Sequence, residues 1–249
     1  MTRISVHFKV VELLIFTFFS QFCSENKAVM QVKWIDIHTH RKWNRPDLLF
    51  VRQAWSISLA KPGYFLSNGI HPWQAEKAFF DVNWDSLLQN PQVLFVGESG
   101  LDRLKPNLEA QMNAFRWMID LASRHQKPLL IHNVRMHQEI QRELKSVDFP
   151  IILHGFSASQ QQLDSWLKFP RVYFSLGMRE LQRGLPPIPL NRLFFETDTS
   201  PHSILEVYQV FCSKSGIALE DLQKQVIQNF NEITDNRLSI RFQADKLVH

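Results

Sequence analysis

The chain has 249 residues, 45% of them hydrophobic and 21% charged, with a formal net charge of +4. That supplies apolar material for one large core and excludes a low-complexity chain, while the basic balance suits a polyanionic partner without identifying one. Two cysteines, Cys23 and Cys212, exclude a disulfide framework and lack metal-knuckle spacing, which fits inert thiols in a reducing compartment.

Residues 1–31 read as an N-terminal extension: a disordered tail, a mis-assigned start upstream of Met30, or a weak signal-like segment. Arg3 and Lys9 precede an apolar stretch at Leu13–Phe19, as in an export signal, but Glu12 intrudes, the stretch is too short to span a bilayer and no small-residue cleavage site follows. Residues 32–249 are expected to form a single domain of cytoplasmic location, with export as the alternative reading, and no membrane partner is expected.

From Lys33 onward, eight apolar runs of strand length recur, at Trp34–His38, Ala54–Leu59, Phe65–Ile70, Val93–Gly97, Leu129–His132, Ile151–His154, Val172–Leu176 and Leu193–Thr197. Their hydrophobicity is continuous rather than alternating, as expected of parallel strands covered on both faces. Helical segments are expected between them, at Gln74–Leu88, Asn107–Gln126 with Asn107 as N-cap, Met136–Val147, Ser159–Lys168, Ile204–Ser215 and Leu219–Asn229. Pro128, Pro150 and Pro170 stand just before strands and end the preceding helices. The alternation predicts an α/β fold, a TIM (β/α)8-type barrel. Only Ala60–Tyr64 separates the second and third runs, so the barrel is expected to be abbreviated there.

Chemistry-bearing residues stand at the ends of these runs. His38 and His40 lie two apart, so on a strand both point to one side and can grip one cation. Glu98, His132, His154 and Asp198 occupy corresponding strand ends, and a barrel gathers such ends on one rim. Two imidazole pairs and two carboxylates suffice for two divalent ions bridged by a carboxylate, for which Glu98 is the best candidate. Each residue also has a plainer reading, as a turn acceptor for Glu98 or a satisfied core histidine for His132 or His154.

These motifs, from the Asp36-Ile37-His38-Thr39-His40 run through Gly69-Ile70-His71-Pro72 and Gly97-Glu98-Ser99-Gly100-Leu101-Asp102 to Glu196-Thr197-Asp198, resemble the TatD family of metal-dependent deoxyribonucleases within the amidohydrolase-like barrels. The resemblance runs from about Trp34 to Asn231. It implies one metal held by His38, His40, Glu98 and Asp198, a second held by Glu98, His132 and His154, and Asp198 as the base. The implied cofactors are two divalent ions, with zinc, manganese and magnesium all compatible with imidazole and carboxylate ligands. The implied reaction is cleavage of DNA phosphodiester bonds by a metal-activated water. Hydrolysis of another phosphoester or an amide, and a non-catalytic metal- or nucleic-acid-binding barrel, are the alternatives.

This chain departs from the family pattern beside the ligands: Arg103 follows Asp102 where an aromatic is usual, Arg135 lies three rather than two residues after His132, and Gly155 replaces a frequent cysteine. For substrate, Arg135 is the first candidate, its planar fork suiting phosphate oxygens, followed by Arg103, Lys105 and His71. Asp102 is expected to steady a ligand or a basic residue. Trp73 and Phe156 could stack on bases, although packing is the plainer expectation for both, and His137 is expected on a solvated helix turn. No recognition helix, zinc finger or dense basic patch is present, so sequence-specific DNA reading is not expected.

Overall fold

The computed structural model describes residues 30–54, 64–77, 82–238 and 240–243. Its centre is an eight-stranded all-parallel sheet of β2 (Trp34–Thr39), β3 (Leu48–Gln53), β4 (Phe65–Asn68), β5 (Val93–Asp102), β6 (Leu129–Val134), β7 (Ile151–Leu153), β8 (Val172–Leu176) and β9 (Leu193–Phe195), in sequence order. The sheet closes on itself: Thr39 bridges Asp198, Asp198 N–H donates to His38 O at 3.0 Å and His40 N–H to Asp198 O at 3.1 Å. Strands buried on both faces explain the unbroken apolar runs; Ile35, Ile37, Val51, Leu66, Phe95, Leu130, Phe174 and Phe194 are all sealed from solvent.

The second strand is a correction. Leu48–Gln53 pairs with β2 and β4, whereas of the expected Ala54–Leu59 only Ala54 is among the described residues, and it follows the strand. The four apolar residues of Leu48–Val51 end in Arg52 and Gln53, which read as a break because the use of Gln53 inside the barrel is invisible locally. With the strand moved back, residues 54–64 lie between β3 and β4, of which 55–63 are outside the described residues. Among the described residues, 40–47, between β2 and β3, form a crossover without a helix.

Among the described residues the α-helices are α1 (Trp84–Gln89), α2 (Leu108–His125), α3 (His137–Glu143), α4 (Gln160–Leu167), α5 (Met178–Arg183), α6 (Ile204–Ser215) and α7 (Leu219–Ile233). Capping boxes start two of them, Ser159 with Gln162 before α4 and Ser203 with Glu206 before α6. The expected helix over Gln74–Leu88 is instead a 3-10 turn at Pro72–Gln74 followed by α1, with 78–81 outside the described residues. Asn107 does precede α2, but in a left-handed conformation and with no side-chain cap bond. α7 runs beyond the expected Asn229 because Phe230 and Ile233 continue its buried face. The short α5 was not expected. Outside the barrel, β1 (Met30–Val32) pairs in parallel with β10 (Ile240–Phe242), so Met30 and Gln31 join the ordered body; residues 1–29 of the expected extension lie outside the described residues. Among the described residues no helix is long and apolar enough to cross a membrane.

Lys127, just before β6, is buried, with its ammonium donating to Val93 O. Burial and then nearby Arg237 push its pKa down from 10.5 to about 8. The unfolded chain therefore binds more protons between those values, and stability should rise with pH across that window by up to about 3 kcal/mol. Lys127→Met should be more stable than the parent at neutral pH and lose that share of the rise. Urea unfolding at about pH 7.5 and about pH 9.5 tests this, and equal pH slopes in both proteins would refute it.

Candidate metal centre

The closed seam between β2 and β9 sets the first group of side chains. Asp36, fully buried, accepts the Thr197 N–H at 3.0 Å and the Thr197 hydroxyl at 2.7 Å, and the Thr197 and Thr39 hydroxyl oxygens lie 2.8 Å apart. Burial pushes the Asp36 carboxyl up to about 7. This buried knot flanks His38, His40 and Asp198, which the seam carries to one side of the barrel mouth. His38 Nε2 lies 3.6 Å and His40 Nε2 3.4 Å from Asp198 Oδ1.

Glu98, inside β5 and almost fully buried, stands at the centre. Its Oε2 is 3.4 Å from His38 Nε2 and 3.9 Å from His40 Nε2. Its Oε1 is 2.6 Å from His154 Nε2, 2.7 Å from His132 Nδ1 and 3.3 Å from His71 Nε2. One carboxylate thus presents a different oxygen to each of two imidazole groups. The Glu98 N–H donates to Gln53 Oε1 at 2.8 Å, and the Ser67 hydroxyl donates to the same oxygen at 2.8 Å. Gln53 was not foreseen, because its strand was misplaced.

Three overlapping groups have donor atoms within 4.8 Å of one another: His38, His40 and Asp198; His38, Glu98 and His154; His71, Glu98 and His132. All six expected ligand residues therefore meet at one place, and His71, expected at the substrate rim, joins them. Phe156 is buried and packs against Phe174, which matches the plainer of its two readings and leaves no stacking role for it. His137 is also half-buried rather than solvated: its Nδ1 accepts from the Trp166 indole at 2.9 Å and lies 2.8 Å from Asn133 Nδ2.

The donor set fits divalent cations. Both His38 ring nitrogens are buried without a hydrogen-bond partner, an expensive state for a polar ring, and ligation through Nε2, which faces Glu98 and Asp198, would relieve half of it. Burial disfavours charge on His38, yet the Asp198 and Glu98 carboxylates outweigh it and raise its pKa to about 9. His154 is likewise buried, and Glu98 and Glu196 hold it well above the usual imidazole value. Burial opposes ionisation of Glu98 and Asp198, but the adjoining imidazoles keep Glu98 well below the carboxylate range and Asp198 down to about 2. Burial lowers His40 and His132. The carboxylates therefore demand compensating positive charge, which protons on His38 and His154 supply and which metal ions would displace.

Supporting residues surround this centre. Glu196 Oε1 accepts the Gly155 N–H at 2.9 Å and lies 3.3 Å from His154 Nδ1, steering the other nitrogen of that ring toward Glu98. Its signal was present in the Glu-Thr-Asp cluster, but only the aspartate was read. Asp102 Oδ2 lies 3.6 Å from His132 Nε2, and the Asp102 backbone is clasped by the amide of Gln111, whose Oε1 accepts the Asp102 N–H at 2.8 Å. Arg103 pairs with Glu139 at 2.9 Å and donates to Arg135 O at 3.3 Å, bracing the loop before α3. The Arg135 side chain is exposed, on a left-handed backbone.

A family described as TatD related DNase matches residues 48–235, a stretch that begins after His38 and His40. An uncharacterized metal-dependent hydrolase TatD of Mycobacterium tuberculosis is 32% identical over 154 residues, 53% of this chain and 58% of that protein. A 3'-5' ssDNA/RNA exonuclease TatD of Erwinia billingiae is 29% identical over 168 residues, 59% of this chain and 62% of that protein. The matches thus span less than two thirds of either relative. The solved structure of the TatD homologue YJJV from Escherichia coli K12 superposes with a TM-score of 0.68 at 20% identity, covering 82% of this chain and 98% of that one. The family match takes in Glu98, His132, His154 and Asp198 and extends over most of the chain, and the barrel agrees with that of the solved relative; the chain belongs to the TatD related DNase family.

Proposed function

We propose that this protein is a divalent-metal-dependent hydrolase that cleaves DNA phosphodiester bonds without reading their sequence. Glu98 carries this reading, because its two oxygens face separate imidazole groups, His38 with His40 and His132 with His154, as a carboxylate shared by two cations must. His38, His40, Glu98 and Asp198 would hold one ion; Glu98, His132 and His154 would hold the other. When bound, the ions supply the Lewis acidity that activates a water and offsets charge growing on the attacked phosphoryl group.

The protein's own groups do the rest. Asp198, partly exposed at the mouth and ionised at neutral pH, orients the attacking water and receives its proton. His71 Nδ1 accepts the Trp73 N–H at 3.2 Å, so the neutral ring carries its proton on Nε2. That makes His71 a donor, toward Glu98 or a phosphate oxygen, rather than a ligand. Asp102 steadies His132 from the far side. Arg135 and Lys105 provide cations for the flanking phosphates, while Arg103, paired with Glu139, holds the loop that carries Arg135. The Erwinia billingiae relative, named a 3'-5' ssDNA/RNA exonuclease, supports this reading.

Chelation should abolish hydrolysis of single-stranded DNA, and re-addition of magnesium, manganese or zinc should restore it, with two ions per chain at full activity by elemental analysis. Undiminished turnover by metal-free protein would overturn the proposal. So would a panel of DNA, a simple phosphodiester and amides in which only an amide is hydrolysed.

A further inference from the structure

Among the described residues, Trp73 departs from the other tryptophans. Trp34, Trp84 and Trp166 are buried, and Trp43 and Trp117 pack against the core, whereas Trp73 is 59% exposed. An exposed tryptophan gains little from burial and is ordinarily free to move, yet this one is held. Its indole N–H donates to Asp102 Oδ2 at 2.8 Å. The Lys105 ammonium lies 4.3 Å from its ring centroid, and the His71 ring stands perpendicular to it at 5.0 Å.

The same Asp102 carboxylate fixes two neighbours. Its Oδ1 accepts the Leu104 N–H at 2.9 Å, and the Leu104 side chain is 64% exposed. Trp73 is therefore an exposed aromatic held in place, with a cation over one of its faces, and the Leu104 backbone is anchored to the same carboxylate. Asp102 Oδ2 also lies 3.6 Å from His132 Nε2, and the His132 ring centroid lies 6.2 Å from that of Trp73. An oriented, exposed aromatic ring, a cation stacked on one of its faces and a phosphate-directed centre next door match the parts of one nucleotide: base, flanking phosphate and scissile phosphate.

We propose that Trp73, backed by Lys105, is the seat of an unpaired nucleobase on the strand being cut; this rests on the nuclease reading above. The contact is sequence-tolerant, since every base has a π face. It also selects single strands and frayed ends, because a base inside a duplex has both faces covered by its neighbours.

The test compares a single-stranded oligodeoxynucleotide with one of equal length whose residues are abasic, using wild type, Trp73→Ala and Trp73→Phe. Wild type should favour the base-bearing strand by about 5- to 150-fold in KM. Trp73→Ala should bring that ratio close to one, and Trp73→Phe should recover much of it. If Trp73 only braces Asp102, both substrates suffer equally in Trp73→Ala and the ratio persists, which overturns the proposal. Fluorescence anisotropy of the two labelled strands without added metal reads the same ratio as binding. Absence of any cleavage by wild type would count against the nuclease reading, while the binding ratio still decides the role of Trp73.

Discussion

Glu98→Gln should lower kcat/KM for DNA hydrolysis by about 10³-fold or more while leaving a folded barrel. The substitution keeps the side chain's size and the backbone bond to Gln53, but it removes the one charge that both imidazole groups face. Two consequences are separable. Bound metal should fall from two ions toward none, because the shared ligand serves both positions. His38 and His154 should also lose much of the support for their protonated forms, since Glu98 is a principal cause of both raised values. Elemental analysis, circular dichroism and steady-state kinetics check this together. Retention of both ions with more than about a tenth of wild-type activity would show that Glu98 is not shared. Asp198→Asn makes a useful contrast, because the imidazoles within 4 Å of Asp198 among the described residues are His38 and His40, so the substitution should spare the ion near His132 and His154.

Gly97→Ala should destabilise the protein by at least about 4 kcal/mol, among the largest effects available to a single methyl group. A Cβ at residue 97 would sit 2.4 Å from Leu130 O and 2.9 Å from Leu130 Cβ, and the backbone there has φ +133. The neighbour is strand backbone of β6 and cannot move aside without opening the β5–β6 pairing, which also carries Glu98 and His132. Gly216→Ala is the control, since its φ is +75 but nothing lies within 4 Å of the added carbon. It should cost only about 1 kcal/mol. Urea unfolding of the two variants measures the difference, and comparable losses would show that backbone conformation rather than crowding governs Gly97.

The metal-ligand types were legible because the barrel imposes a simple rule: parallel strands end on one rim, so a residue at each apolar run's end is brought to the same place. His38, His40, Glu98, His132, His154 and Asp198 obey that rule, and the β8 run Val172–Leu176 and helix α6 were read with their full extent. Where the reading slipped, a local signal competed with a distant partner. The Arg52-Gln53 pair looks like a strand terminator, yet the Gln53 amide is spent on the Glu98 backbone 45 residues away. His137 looks like a surface helix residue until Trp166 donates to it from α4. Trp73 looks like core, and only Asp102, 29 residues on, explains why it can stand exposed and still be held.

What the amino-acid sequence determined by itself is the periodicity of the strands and helices and the identity of the side chains at the strand ends, both of them local properties of the chain. What the tertiary structure decided is the division of labour among those side chains. Glu98 could be recognised as an acid among histidines, but which oxygen faces which ring depends on the closing of β2 against β9 and on the approach of β5 to β6. His71 became a neighbour of Glu98, and Asp102 a link between His132 and Trp73, for the same reason. Interatomic distances across a closed barrel are set by all eight strands at once, and no single stretch of sequence contains them.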